Sequence, residues 1–312
     1  MKVLVTIVSL IVLTGLQLNA KSIDESQRAI LLQNGDASEF ISLPMGVMHV
    51  RISGPKDGPV VLLVHGAVIG GYAYKNWQKP LADAGFRVIV PDLFGYGLSD
   101  RPDIDYTKDF YVLQLKQLLE KLRIESPVQI VGASMGGAIV AAFTANYPEK
   151  VKSVVLMAPA GVGKDNRPTS SILLWPGLGD LIFHFFGSAQ MKRQMDEANV
   201  NSPDRQNIAH WMELQTQYTG FAEGILNTLR HYKIYWQPED FQALGKTKKA
   251  VLTLWGTSDT VNAFEQSQTL QEFVPQAKII PIQDKGHAIT FNVSERVLEF
   301  VIDFLLGNSL RK

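Results

Sequence analysis

The sequence predicts an α/β fold, a mostly parallel central sheet flanked by helices, interrupted by one inserted block of helices. Three observations carry that expectation. Short runs of β-branched and leucine residues at 60–64, 86–90, 128–131, 151–157, 250–255 and 277–282 have the continuous apolar pattern of strands buried on both faces. Most are separated by stretches with helical period, the strand–helix–strand alternation of a parallel sheet built by right-handed crossovers. From Gly161 to about Pro238 that alternation stops and helical patterns alone remain. With 312 residues and 46% hydrophobic content, the chain can bury one large core.

Taken in order, Lys2 precedes an apolar run over 3–18 that ends in Asn19-Ala20 before the polar Lys21. Residues 1–20 read as a signal peptide cleaved after Ala20, which would export the protein to the periplasm or the medium. The run is shorter than the roughly 20 residues of a spanning helix, and an uncleaved N-terminal anchor is the alternative. Residues 39–41 and 48–52 form an early hairpin, and 53–59, with two glycines and two prolines, is a loop. Strand 60–64 runs into His65-Gly66-Ala67-Val68-Ile69-Gly70-Gly71. That spacing is neither a dinucleotide nor a P-loop fingerprint; the alternative is a loop whose amides face an oxyanion. Helix 72–84 and strand 86–90 lead to a glycine-rich loop at 92–100. There Asp92 is either a catalytic acid or, the preferred reading, an anchor of the loop through backbone N–H groups. Helix 107–122 sets Phe110, Leu113, Leu115, Leu118, Leu119 and Leu122 close to helical spacing.

The centre of the chain is Gly132-Ala133-Ser134-Met135-Gly136, between strand 128–131 and a small-residue run over 137–142 that reads as a helix. Glycines on both sides of Ser134 relieve the crowding of a sharp strand-to-helix bend, which lifts one hydroxyl above the sheet. At the helix N-terminus, the free amide of Met135 can stabilise negative charge on a substrate oxygen. The same pattern also describes a plain glycine turn, and a downstream histidine and acid separate the two. Beyond strand 151–157, helices at 171–186, 189–198 and 203–235 form the insertion, with Trp211, Leu214, Tyr218, Phe221, Ile225 and Leu229 on one face. The run 181–186 holds more large apolar groups than a simple cover requires, the composition of an apolar substrate wall or a lipid-facing surface. The expected division is therefore a core of 21–160 and 239–312 with a helical cap of 161–238.

Strand 250–255 ends in Gly256-Thr257-Ser258-Asp259; helix 263–273 and strand 277–282 follow, then the turn Gln283-Asp284-Lys285-Gly286-His287 and a closing helix over about 293–306. The C-terminal ends of parallel strands share one edge, where such folds bind ligands. Ser134, Asp259 and His287 thus reach one edge, in the chain order of hydrolases with this kind of elbow. A serine hydroxyl is a poor nucleophile until an imidazole takes its proton, and the imidazole needs a carboxylate to fix its tautomer. Asp284 is the rival acid, but it lies in the same short turn as His287, which makes approach to the far ring nitrogen less natural. Thirty basic and thirty acidic residues leave no excess for nucleic acid. The lack of cysteine excludes disulfides, thiolate metal sites and cysteine nucleophiles. His49, His184, His210 and His231 show no metal-ligand spacing, so no metal and no cofactor are expected.

His65-Gly66, the loop over 92–99, Gly132-Ala133-Ser134-Met135-Gly136-Gly137, Gly256-Thr257-Ser258-Asp259 and Gly286-His287 resemble the motifs of the α/β-hydrolase superfamily, across nearly all of the mature sequence. The resemblance implies Ser134 as nucleophile, His287 as base and Asp259 as orienting acid. It implies an oxyanion hole from the amides of Met135 and Ala67, with Val68 the nearest alternative donor. The implied activity is that of a serine hydrolase, carboxylesterase or lipase-like, cleaving a small apolar carboxylic ester through an acyl-enzyme on Ser134. Similar enzymes that open haloalkanes or epoxides use an aspartate nucleophile. The carbon–carbon bond hydrolases of the family often carry tryptophan directly after the catalytic histidine, where this chain has Ala288. A carbon–carbon bond hydrolase, an amidase and a non-catalytic binding protein of the same fold are the alternatives.

Overall fold

The apolar runs become strands of one eight-stranded sheet in the computed structural model, which describes residues 23–33, 38–163, 174–199, 202–291 and 294–307. The expected signal peptide lies outside these residues. The strands are β1 (Ser38–Leu43), β2 (Gly46–Ser53), β3 (Val60–Val64), β4 (Arg87–Pro91), β5 (Val128–Ala133), β6 (Val151–Met157), β7 (Ala250–Gly256) and β8 (Ala277–Ile282), in the order β1-β2-β4-β3-β5-β6-β7-β8. Pairing is antiparallel from β1 to β4 and parallel everywhere else. The predicted fold class, a mostly parallel sheet flanked by helices, is the observed one. Because β3 lies between β4 and β5, the winding direction reverses there, and the crevice outside such a reversal is where open α/β sheets take ligands. The register sets Val64 beside Gly132 and Ala133 beside Met157. The loops after β3, β5 and β6 therefore leave the sheet at one level.

Helices α1 (Glu25–Gln33), α2 (Lys75–Asp83), α3 (Lys108–Lys121) and α4 (Met135–Asn146) precede or join these strands. Helix α3 begins where Thr107 Oγ1 accepts from the Phe110 amide at 3.2 Å, an N-cap that satisfies one orphan donor. It buries Phe110, Leu115, Leu118 and Leu119 and leaves Leu113 exposed, because Leu113 falls on the opposite side of the helix from that face. Helix α4 is almost entirely buried, its small residues allowing close approach to β3, β5 and β6.

After β6 the chain forms α5 (Leu178–Ile182), one π-helical turn (Phe183–Gly187), α6 (Ser188–Ala198), α7 (Arg205–Thr216) and α8 (Phe221–His231). The single helix expected over 203–235 is thus two. It breaks at 217–220, where Gly220 has φ +80°, and ends at His231. The chain leaves and returns side by side: Val162 and Trp236 form an antiparallel bridge, and the Gln237 amide donates to the Gly161 carbonyl at 2.7 Å. Helix α9 (Pro238–Lys246), begun by a proline in its first turn, packs on α4. It was not legible as a separate element in the periodicity. Helices α10 (Gln266–Phe273) and α11 (Glu295–Leu306) complete the described fold, α11 stopping at Gly307 with φ +77°.

Candidate active site

Ser134 sits between β5 and α4 with φ +51° and ψ −120°, a backbone conformation that L side chains rarely adopt. Three hydrogen bonds hold it there: its amide donates to the Met157 carbonyl, and its carbonyl accepts from Gly137 and Ala160, each at 2.9 Å. The flanking glycines are sterically required. A Cβ on Gly136 would lie 2.1 Å from the Val64 carbonyl oxygen, and one on Gly132 would lie 2.4 Å from that of Gly136.

His287 Nε2 is 3.0 Å from Ser134 Oγ, and its Nδ1 is 2.8 Å from Asp259 Oδ2. A carboxylate only accepts, so Nδ1 carries the proton and the Nε2 lone pair faces the serine hydroxyl. The Asp259 side chain is fully buried, and its other oxygen accepts from the amides of Val261 at 2.8 Å and Asn262 at 2.9 Å. Asn262 is itself fixed, donating Nδ2 to the Ala158 carbonyl and accepting the Trp255 indole N–H, both at 2.8 Å. Sequence reasoning passed over Asn262; the signal available was an aspartate two and three residues before free amides, a common turn arrangement. Asp284 is exposed, with φ +56° and its amide donated to Thr257 Oγ1. Its carboxylate makes no bond to His287.

Met135 opens α4, so its amide has no intrahelical acceptor. A Cβ on Gly66 would lie 3.1 Å from Ser134 Cβ and 3.7 Å from its Oγ. The turn after β3 therefore touches the elbow and brings Ala67 beside it. The next residue, Val68, has φ +85°, which for a β-branched side chain costs on the order of 1–3 kcal/mol and persists only where neighbours hold it. From below, His65 Nδ1 donates to the Gly66 carbonyl at 2.6 Å while Nε2 accepts from the Leu93 amide at 2.9 Å. Burial lowers the His65 pKa, against the raising effect of the Asp92 charge, which keeps the ring neutral as this pairing demands. Asp92 accepts from the amides of Gly71 at 2.6 Å and Leu98 at 2.9 Å and from His49 Nδ1 at 2.7 Å. Burial alone would raise its carboxyl, but the charge and hydrogen bond of His49, with the charge of Arg51, hold it well below the usual carboxylate range. Asp92 is thus the loop anchor that its turn chemistry predicts.

Helices α7 and α8 reach the same region. The Trp211 indole N–H donates to the Ile69 carbonyl at 3.0 Å and its ring stacks on Tyr72 with centroids 4.8 Å apart. On α8, Thr228 Oγ1 donates to the Gly224 carbonyl and accepts from the hydroxyls of Tyr96 and Tyr111, both at 2.7 Å. Burial pushes the Tyr96 hydroxyl up to about 12. Among the described residues no cluster of three His, Asp or Glu side chains could hold a metal ion. A groove of about 510 Å³ lined by Pro59, Arg87, Arg123, Gln129 and Lys152 opens at the opposite, N-terminal ends of the strands and takes no part in this site.

A buried carboxylate, an imidazole and a serine hydroxyl in one hydrogen-bonded row, above the reversal point of a mostly parallel sheet, can move a proton from oxygen to nitrogen beside the free amide that opens α4. That architecture is a hydrolase architecture, and the chain belongs to the alpha/beta hydrolase fold family, whose model matches residues 59–292. It is similar to a 2-hydroxymuconate semialdehyde hydrolase of a Pseudomonas strain, at 26% identity over 78% of this chain and 86% of that one. It is similar also to Lipase 3 of a Moraxella strain, at 29% identity over 74% of this chain and 72% of that one. The structure of the enol-lactonase from Burkholderia xenovorans superposes with a TM-score of 0.73 at 17% identity, covering 86% of this chain and all of that one; at that identity the likeness is one of fold.

Proposed function

We propose that the protein is a serine hydrolase of carboxylic esters with an apolar acyl or alcohol part. The carrying observation is the unbroken row from Ser134 Oγ to His287 to Asp259. His287 takes the hydroxyl proton as Ser134 attacks the ester carbonyl. The oxyanion faces the amides of Ala67 and Met135, and His287 passes the proton to the departing alcohol. Water, activated by the same imidazole, then releases the acyl group. Residues 161–238 act as the cap over this chemistry; the bond from Trp211 to Ile69 after β3 and the bond between Thr228 and Tyr96 support that role. The exposed side chains of Trp175, Leu178, Leu181 and Phe186 in the insertion support contact with a lipid surface. The apolar run at 3–18 supports export with cleavage after Ala20, and the mass of the mature N-terminus separates that from an uncleaved anchor.

Relatives that include a 2-hydroxymuconate semialdehyde hydrolase and a 2-hydroxy-6-oxo-6-phenylhexa-2,4-dienoate hydrolase favour a second reading, cleavage of a carbon–carbon bond in a dienoate. Chain-length profiling with nitrophenyl esters from acetate to palmitate, beside a dienoate substrate, tests both. Ester turnover that the Ser134→Ala variant retains in full would remove the proposal.

A further inference from the structure

We infer that Trp211, on the cap, is a positioning residue for the oxyanion loop, so that the docked cap sets the geometry in which Ser134 works; this rests on the hydrolase reading above. The loop 66–72 contains the strained Val68, with φ +85°, and Gly70, with φ +69°. Such a backbone holds its shape only when it is fixed on both sides. From the sheet side, Asp92 takes the Gly71 amide and His65 takes the Leu93 amide while donating to Gly66. From the cap side, Trp211 donates its indole N–H to Ile69, the residue directly after Val68.

The indole is itself held in place. It is 9% exposed, lies nearly parallel to the Tyr72 ring with an interplanar angle of 10°, and has the Arg51 guanidinium 5.3 Å from its centroid. Tyr72 belongs to the same loop, so ring and N–H grip that loop at two points three residues apart. The amide at Val68 and the carbonyl at Ile69 are part of one short turn, in which the Ile69 amide donates back to Ala67 at 3.3 Å. Releasing the Ile69 carbonyl therefore lets the whole turn over 67–69 relax from the strained shape it has at Val68. Ala67 opens that turn, next to Gly66 at the elbow, so the amide that the proposed mechanism aims at the oxyanion moves with it. Motion of α7 is thereby coupled to charge stabilisation in the transition state and not to ground-state binding.

The test is Trp211→Phe, which keeps a ring for Tyr72 to stack on and deletes the donor. The control is Asn227→Ala, which loosens the cap elsewhere by removing bonds to Ile104 and Tyr106. Amide hydrogen exchange over 66–72 should rise in Trp211→Phe and stay unchanged in Asn227→Ala. In the ester assay, kcat should fall about five- to tenfold with KM within about twofold in Trp211→Phe alone, the size expected for one lost hydrogen bond. Unchanged exchange over 66–72, or a kcat loss that follows melting temperature equally in both variants, would overturn the inference. Exchange is read without substrate, so failure here is distinct from failure of the hydrolase reading, which Ser134→Ala reports.

Discussion

Asp259 Oδ2 lies 2.8 Å from His287 Nδ1, while its other oxygen is held by the backbone amides of Val261 and Asn262. The carboxylate cannot turn away from the imidazole without leaving those two donors unpaired in a buried site, so the tautomer of His287 is fixed before substrate arrives. Asp259→Asn offers an N–H to one of these partners and lets the ring adopt the wrong tautomer. We expect kcat to fall by roughly 10⁴ with the circular dichroism spectrum intact. Asp284→Asn, altered on an exposed turn, should stay within about twofold of wild type. Equal losses in the two variants would mean that the acid has been assigned to the wrong residue.

Asp92 ties together the glycine-containing loops that follow β3 and β4, through Gly71 and Leu98. Removing its charge leaves His49 and Arg51 facing a neutral group in a buried cluster, and Asp92→Asn should lower stability by about 3–5 kcal/mol. Because its folded pKa lies below the unfolded value near 4, the native state binds fewer protons in acid. Its contribution is complete above about pH 4 and is lost as pH falls through the folded pKa. Urea melts of the variant and the wild type at neutral pH measure the first quantity.

His65 gives a separate pH signature. Its unfolded value is 6.5 and burial lowers the folded one, so between the two the unfolded chain binds more protons and stability rises with pH. The contribution is complete above about pH 6.5 and declines as pH falls through the folded pKa, with a slope of at most about 1.4 kcal/mol per pH unit. His65→Gln should flatten that part of the stability profile. A profile of undiminished slope in the variant would place the titration elsewhere.

In the helical insertion between β6 and α9, Trp175 and Phe186 are 56% and 67% exposed. Replacing both by serine should weaken binding to zwitterionic phospholipid vesicles by about 10- to 100-fold, the worth of two partly buried aromatic side chains. Turnover of a soluble ester should be unaffected. Co-sedimentation that is the same for variant and wild type would show that these side chains do not contact lipid.

Much of the core was legible because burial on both faces forces continuous apolar runs such as those of β3 and β6, and because the bend at Ser134 admits only glycine at 132 and 136. The partnership of Ser134, Asp259 and His287 was legible from topology, since parallel strands deliver their following loops to one edge. Bonds that cross the fold left no local trace. Trp211 read as one member of an apolar helix face, and its indole N–H meets Ile69 across 142 positions of sequence. The break at 217–220 was hidden because Tyr218 and Phe221 keep the three-residue spacing through it, while Gly220 alone carries the change of direction.

If the proposed mechanism holds, Ser134 Oγ carries the acyl group during turnover. The most direct measurement is acid quenching of the enzyme during turnover of a nitrophenyl ester, followed by mass analysis of its peptides. An acyl-enzyme on Ser134 gives an acyl adduct on the peptide bearing Ser134, a matching burst of nitrophenol, and loss of both in Ser134→Ala. Ester hydrolysis at the wild-type rate in Ser134→Ala, or an acyl group found on a different peptide, would contradict it.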